Sequence, residues 1–393
     1  MKMWKRIVAL LLALLMITAA LVSCKDDGGN EGDGGEGDGG EGNPPAAVKE
    51  IDIYFIAGQS NAAGTTKIED AEKLYDDYPE LKSGTDPYIM YCGNSAGNVT
   101  KNNTVTYDWG SVKLGYGSNK SNMGPEVGIA KELSAYYNAT TGKHAGIIKF
   151  AHGGTGLANT EVNHNFDNGA PAGNWSPPSY AKPTEGDSST NYIGFLYRGL
   201  VSEAYNRISE LKEMGYTKIN IKGFYWMQGC NDTWRYSETP SDKKSPLWYP
   251  NAFAALVKDL RNDLKDIMQT VQGNFGGAQD MPFFIGTISP TYSLGNAKQG
   301  ATWEDDGSAL QTAKNRNDPF IKMQKQLAVD NSNCYIVDNG AYPTVDCVIE
   351  NEGQPNQVVK YTMVGTDQSH WGQDDCYEIG RNVGKMMLEK CTK

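Results

Sequence analysis

The stretch 51-IDIYFIAGQSNAAG-64 starts as an apolar run and ends in a turn rich in Gly, Gln, Ser and Asn. Seven residues dominated by Ile, Tyr and Phe and stopped by Gly58 predict a strand in the interior of a sheet. Ser60 stands just past its carboxyl end. There it is either the first residue of a turn or a hydroxyl presented for chemistry. Which applies depends on what the other strands carry at the same edge.

Four more runs of strand length follow: AGIIKFA (145–151), KINIKGFYWMQG (218–229), PFFIGTIS (282–289) and CYIVDN (334–339). Segments with helical spacing separate them: 124–140 with Pro125 near its start, 191–215 closed by Gly215, 249–269, about 308–330, and 376–390. Alternation of this kind predicts an α/β fold, a three-layer α/β/α sandwich around a central parallel sheet of about five strands. Reactive groups then belong beyond the carboxyl ends of the strands. Neither a repeat nor a second domain is visible. Residues 82–123 and 155–190 are rich in Asn, Gly and Ser and do not fit the alternation. The second is too long for an idle connection and is expected to be a functional loop. Its Trp175 and Tyr180 could offer flat faces to a pyranose ring, or Trp175 could pack the loop onto the domain.

The 393-residue chain has a net charge of −11, with 8 Trp, 22 Tyr and 45 Gly. Without a basic stripe, nucleic acid is not an expected partner. Abundant Tyr and Trp suit sugar stacking or a large core equally. MKMWKR is a basic start, and residues 7–23 form an apolar run a little shorter than the roughly 20 residues a spanning helix needs. The run ends in Leu21-Val22-Ser23-Cys24, which resembles the bacterial lipobox. The expectation is a lipoprotein signal peptide over 1–23, with Cys24 lipidated and the protein in the cell envelope outside the cytoplasm; the alternative is a retained membrane anchor. Residues 24–47 are dense in Gly and acid and predict a flexible tether, so the folded domain is 48–393. Cys92, Cys230, Cys334, Cys347, Cys376 and Cys391 have irregular spacings that fix no disulfide connectivity. With neither CxxC nor HExxH and only four His, no metal and no cofactor is expected.

The strand ends select a short set of residues. They are Gly58-Gln59-Ser60-Asn61, His152-Gly153-Gly154-Thr155, Gln228-Gly229-Cys230-Asn231-Asp232 and, before the last helix, Asp367-Gln368-Ser369-His370. A serine nucleophile needs a base, a carboxylate to orient the base, and donors for an oxyanion. Ser60, His370 and Asp367 fill the first three roles. The N–H groups of Ser60 and of Gly153 or Gly154, with the Asn231 amide, could serve the last. Each residue also has an ordinary reading as cap, turn or surface group, but four coincidences at four strand ends favour the chemical one.

These blocks, with Trp226-Met227-Gln228-Gly229, Gly124-Pro125-Glu126 and Tyr249-Pro250-Asn251, resemble the SGNH hydrolases. The particular form is the sialate O-acetylesterase and acetyl xylan esterase group, carbohydrate esterase family six. The resemblance runs from about Ile51 to Leu388. It implies a flavodoxin-like SGNH fold and a serine esterase acting through an acetyl-Ser60 intermediate. It makes Ser60 the nucleophile, His370 the base, Asp367 its partner and Gly153 or Gly154 an oxyanion donor. Gln59 would hold the loop and Glu126 brace it from behind. The third block departs from the family, with Cys230 where a glutamate is usual, which leaves open whether Gln228 or Asn231 donates to the oxyanion. Cys230 has no basic neighbour in sequence to activate it as a nucleophile. The expected partner is an acetylated oligo- or polysaccharide, together with the membrane through the Cys24 lipid. The rival readings are an esterase for another acyl or aryl ester and an inactive carbohydrate-binding surface lipoprotein.

Overall fold

Strand β1 (Glu50–Gly58) is buried along almost its whole length, because both of its faces are covered. A computed structural model describes residues 49–96, 105–139, 143–157, 174–180, 194–241 and 244–392. The signal-peptide and tether expectations, Cys24 included, and most of the 155–190 loop fall outside the described residues. Contacts group Val48–Lys393 as one unit.

After β1 come helix α1 (Ser60–Ala63), strand β2 (Thr66–Lys67) and the short helices α2 (Ala71–Asp77) and α3 (Pro79–Ser83). Strands β3 (Ile89–Ala96), β4 (Val105–Gly110) and β5 (Asn122–Met123) precede helix α4 (Glu126–Asn138) and strand β6 (Lys143–His152). Helix α5 (Phe195–Glu213), strand β7 (Lys218–Met227), helix α6 (Trp248–Gln272) and strand β8 (Phe283–Gly286) follow. The chain closes with β9 (Thr302–Asp305), α7 (Ser308–Asp330), β10 (Cys334–Val337), β11 (Val345–Glu350), β12 (Val358–Met363) and α8 (Gln373–Cys391).

The central sheet has seven strands in the order β10-β8-β7-β1-β6-β3-β4. All neighbours are parallel except β4, which runs antiparallel to β3. The five strands expected from the sequence are all present, and β3 and β4 extend the sheet on one edge. They escape a reading by apolar runs because β3 carries Gly93, Asn94 and Ser95, while β4 is an edge strand with alternating exposure. Helices α4 and α8 pack against each other, as do α5 and α6, so helices flank the sheet. Backbones approach closely between α4 and α8: a Cβ on Gly128 would lie 2.2 Å from the Tyr377 carbonyl oxygen. A second, antiparallel sheet, β11-β12-β9, was not expected either. It holds its own small core of Leu294, Leu310, Val345, Val359, Tyr361 and Met363. Among the described residues no helix is long and apolar enough to cross a membrane.

Candidate active site

β1 passes into α1 through a turn that only glycine fits. Gly58 has φ 137°, and a Cβ there would stand 2.1 Å from the Met227 carbonyl oxygen. The next residue locks the turn, with the Gln59 N–H donating to that same oxygen at 3.0 Å. Ser60 therefore opens a one-turn helix at the carboxyl edge of the sheet, buried with little of it reaching solvent.

The Asp367–His370 pair is built by its own short loop. Asp367 Oδ1 accepts the N–H groups of Ser369 and His370 at 2.7 and 3.1 Å, and its Oδ2 accepts from His370 Nδ1 at 2.8 Å. Burial alone would raise the Asp367 carboxyl. The imidazole bond and the two backbone donors outweigh it and hold the group below the usual carboxylate range. That loop is docked onto the turn carrying Ser60. The Asn61 side-chain amide donates to the Ser369 carbonyl at 3.0 Å, and Thr66 Oγ1 donates to the Trp371 carbonyl at 3.0 Å. The structure thus brings Ser60 and the Asp367–His370 pair to one edge.

The expected oxyanion donors separate into committed and remaining groups. Gly153 N–H already donates to the Ala96 carbonyl at 2.8 Å, a strand the sequence reading did not contain. Gln228 is fully buried, and its Nε2 lies 2.9 Å from the Thr155 carbonyl and 2.6 Å from Asp232 Oδ2. Both are corrections: these two groups hold the floor of the site. Gly154 lies partly exposed, with no heavy atom of the described residues within 4 Å of where its Cβ would stand. Asn231 is also partly exposed. Gln59 reaches the third block, where its Oε1 accepts the N–H groups of Gly229 and Asn231 at 3.1 and 3.3 Å. Tyr249 of the Tyr-Pro-Asn motif donates its hydroxyl to the Gln228 carbonyl at 3.2 Å.

Glu126 stands behind the turn. Its Oε1 accepts the Gly124 N–H at 3.0 Å, and its other oxygen lies 3.1 Å from Lys149 Nζ, both side chains being fully buried. Lys149 in turn donates to the Ala63 carbonyl at the end of α1 at 3.1 Å. Lys149 went unnoticed in the sequence reading, although a lysine inside AGIIKFA signals a buried charge that needs a partner. Asp232 was likewise missed as a brace for Gln228 and for the Leu157 N–H.

Trp175 does not offer its face to a ligand. It is fully buried, meets Trp226 edge-on at 5.3 Å and donates its indole N–H to Thr155 Oγ1 at 2.8 Å. Of the two readings of this residue, the packing one is correct. Tyr180 is half-buried against the core. Cys230 is buried and its thiol is pushed up to about 12 by that burial, so it carries no thiolate at neutral pH. All six cysteines in the described residues are free thiols.

A parallel sheet between helix layers, with a serine turn and an Asp–His loop meeting at its carboxyl edge, defines an α/β/α hydrolase of the ester-cleaving kind. A family described as "Carbohydrate esterase, sialic acid-specific acetylesterase" matches residues 50–291. The chain belongs to that family and is a carboxylic ester hydrolase, as the SGNH resemblance implied. Similar solved structures include NanS, at 14% identity and TM-score 0.46, covering 87% of this chain and 98% of that one. Another is a protein from Arabidopsis thaliana, at 15% identity and TM-score 0.44, covering 86% and 98%. A third is a carbohydrate acetylesterase from Xanthomonas citri, at 13% identity and TM-score 0.41, covering 86% of this chain and 56% of that one. Comparison with curated proteins gave no match.

Proposed function

We propose that the protein removes O-acetyl groups from carbohydrate hydroxyls by double displacement at Ser60, outside the cytoplasm and tethered by a lipid on Cys24. The observation that carries the catalytic part is the docking of the Asp367–His370 loop onto the Ser60 turn through Asn61. The His370 ring takes the Ser60 proton as Oγ attacks the acetyl carbon, and ionised Asp367 steadies the imidazolium that forms. The N–H groups of Ser60 and Gly154, with the Asn231 amide, stabilise the oxyanion. Collapse returns the proton to the leaving sugar oxygen. Water activated by the same histidine then frees acetate from Ser60.

Acetate release from a panel of acetylated glycans, comparing wild type with Ser60→Ala and His370→Ala, tests this reading. Each variant is expected to lose activity by a factor of about 10⁴ or more, and the double variant to lose little further, because such groups act as a unit. Near-normal turnover by Ser60→Ala would remove the assignment. The tether is tested separately: Cys24→Ser is expected to leave the membrane fraction. A mutant that stays membrane-bound with an uncleaved N-terminus would instead indicate a retained spanning segment.

A further inference from the structure

Arg316 of α7 donates Nη2 to the main-chain carbonyl of Tyr292 at 2.6 Å, and Asn317, fully buried, adds its Nδ2 to the same oxygen at 2.9 Å. The N–H of that peptide group belongs to Ser293 and donates to the Gln368 carbonyl at 2.8 Å. The N–H of this second peptide group belongs to Ser369 and donates to Asp367 Oδ1 at 2.7 Å. Two peptide groups, Tyr292–Ser293 and Gln368–Ser369, therefore stand in series between a guanidinium and the carboxylate that bonds His370.

A donor on a peptide carbonyl polarises the N–H at its other end, and a charged donor does so most. The series is built at a cost. Ser293 is held at φ 61°, a left-handed conformation that a serine seldom adopts. The Gln368 carbonyl has a second hold in Thr344, whose Oγ1 lies 3.2 Å away and whose side chain is fully buried. The Thr344 carbonyl also accepts the Val364 and Gly365 N–H groups at 3.2 and 2.9 Å, which fixes the start of the same loop. Its own N–H donates to Thr291 Oγ1 at 2.9 Å. Thr291 and Ser293 follow β8, a strand whose carboxyl end the sequence reading left without a role. Asn61 holds the neighbouring Ser369 carbonyl from the Ser60 turn, so consecutive carbonyls of the loop are fixed by different parts of the chain.

We infer that Arg316 is a positioning residue of the reaction, acting on Asp367 through these two peptide groups, with Thr344 as a second hold on the nearer one. The inference rests on the esterase reading above and extends its machinery to the end of β8 and to α7. Arg316 touches neither substrate nor reacting atoms in this role; it orients and polarises the Ser369 N–H that binds the carboxylate.

A double-mutant cycle on p-nitrophenyl acetate tests this, because so small a substrate reads the chemistry rather than sugar binding. Arg316→Met removes the charge and the donor, while Asn317 still serves the Tyr292 carbonyl. Its kcat is expected to fall about five- to tenfold with KM changed by less than about twofold, as loss of a charge-assisted bond acting on the transition state would give. Asp367→Ala removes the group acted upon and is expected to be slower by about 100-fold or more. In that background Arg316→Met is expected to change kcat by less than about twofold, since the series then has no acceptor at its end. A loss that recurs in full beside Asp367→Ala marks a merely structural role and overturns the inference, as does a wild-type kcat in Arg316→Met. Should Arg316→Met fail to fold, Thr344→Val, which removes only a hydroxyl, is read in the same cycle. It is expected to lose about threefold alone and to regain its activity in Thr344→Ser; a valine variant as fast as wild type, or a serine variant as slow as valine, then overturns the inference. Wild-type turnover by Asp367→Ala would end the catalytic reading itself.

Discussion

Asn61 donates its side-chain amide to the main-chain carbonyl of Ser369 at 3.0 Å, joining the turn after the first strand to the loop before the last helix. These two pieces carry Ser60 and His370, so this bond, together with that of Thr66 Oγ1 to the Trp371 carbonyl, sets the approach of proposed nucleophile to proposed base. Asn61→Ala removes the donor and is expected to lower kcat on p-nitrophenyl acetate by about 10- to 100-fold, with a smaller change in KM. Asn61→Asp is expected to be worse than Ala, because it sets a carboxylate against a carbonyl oxygen. Full activity in the aspartate variant would show that the bond does not position the loop.

Lys149 and Glu126 form a buried ion pair behind the same turn, 3.1 Å apart. Burial lowers the lysine, and the Glu126 carboxylate opposes that shift. Glu126→Gln leaves a buried ammonium without its counter-charge and is expected to cost about 3–5 kcal/mol in urea unfolding. The double variant Glu126→Gln/Lys149→Met is expected to recover part of that loss. If the single variant unfolds at the wild-type urea concentration, the pair is not a determinant of stability.

His152, at the end of β6, is buried, neither ring nitrogen has a hydrogen-bond partner among the described residues, and burial pushes it from the ordinary 6.5 down to about 4. Between those two values the unfolded chain holds a proton on this ring that the folded chain does not. Stability is therefore highest above pH 6.5 and falls as pH drops toward 4. The full loss from this residue is about 3 kcal/mol, at 1.36 kcal/mol per pH unit of displacement. His152→Gln is expected to flatten that part of the pH–stability curve. Equal slopes for variant and wild type from pH 6.5 to 4 would contradict the assignment.

Trp175 lies between Trp226 and Phe150, edge-on to both, and its indole N–H is bonded to Thr155. Trp175→Ala is expected to destabilise the fold by about 3–5 kcal/mol and to lower aryl-acetate and polymer activity in the same proportion. Loss of polymer activity alone, with an unchanged melting temperature, would restore a substrate-stacking role.

Much of this protein is written locally. The interior strands are legible because a strand covered on both faces must be apolar throughout, and 51–57 and 145–151 are nearly so, as is 218–227 from Gly223 onward. The Asp367–His370 pair is legible for a different reason: three residues of spacing let one carboxylate bond both the loop's N–H groups and the imidazole. Glu126 and Gln59 could be named from their motifs, although not what each would bond.

What the tertiary structure alone decided is which of these groups are already engaged. Gly153 and Gly154 look alike in the chain, but a strand ending at Ala96 takes the N–H of the first. Gln228 reads as a free amide until Thr155 and Asp232 come within reach of it. Trp175 turns inward because Trp226 and Phe150 leave a slot its indole fills. The physical reason is the same in each case. A donor's availability, a ring's exposure and a charge's pairing are properties of neighbours in space, and periodicity along the chain reports only which way a residue faces.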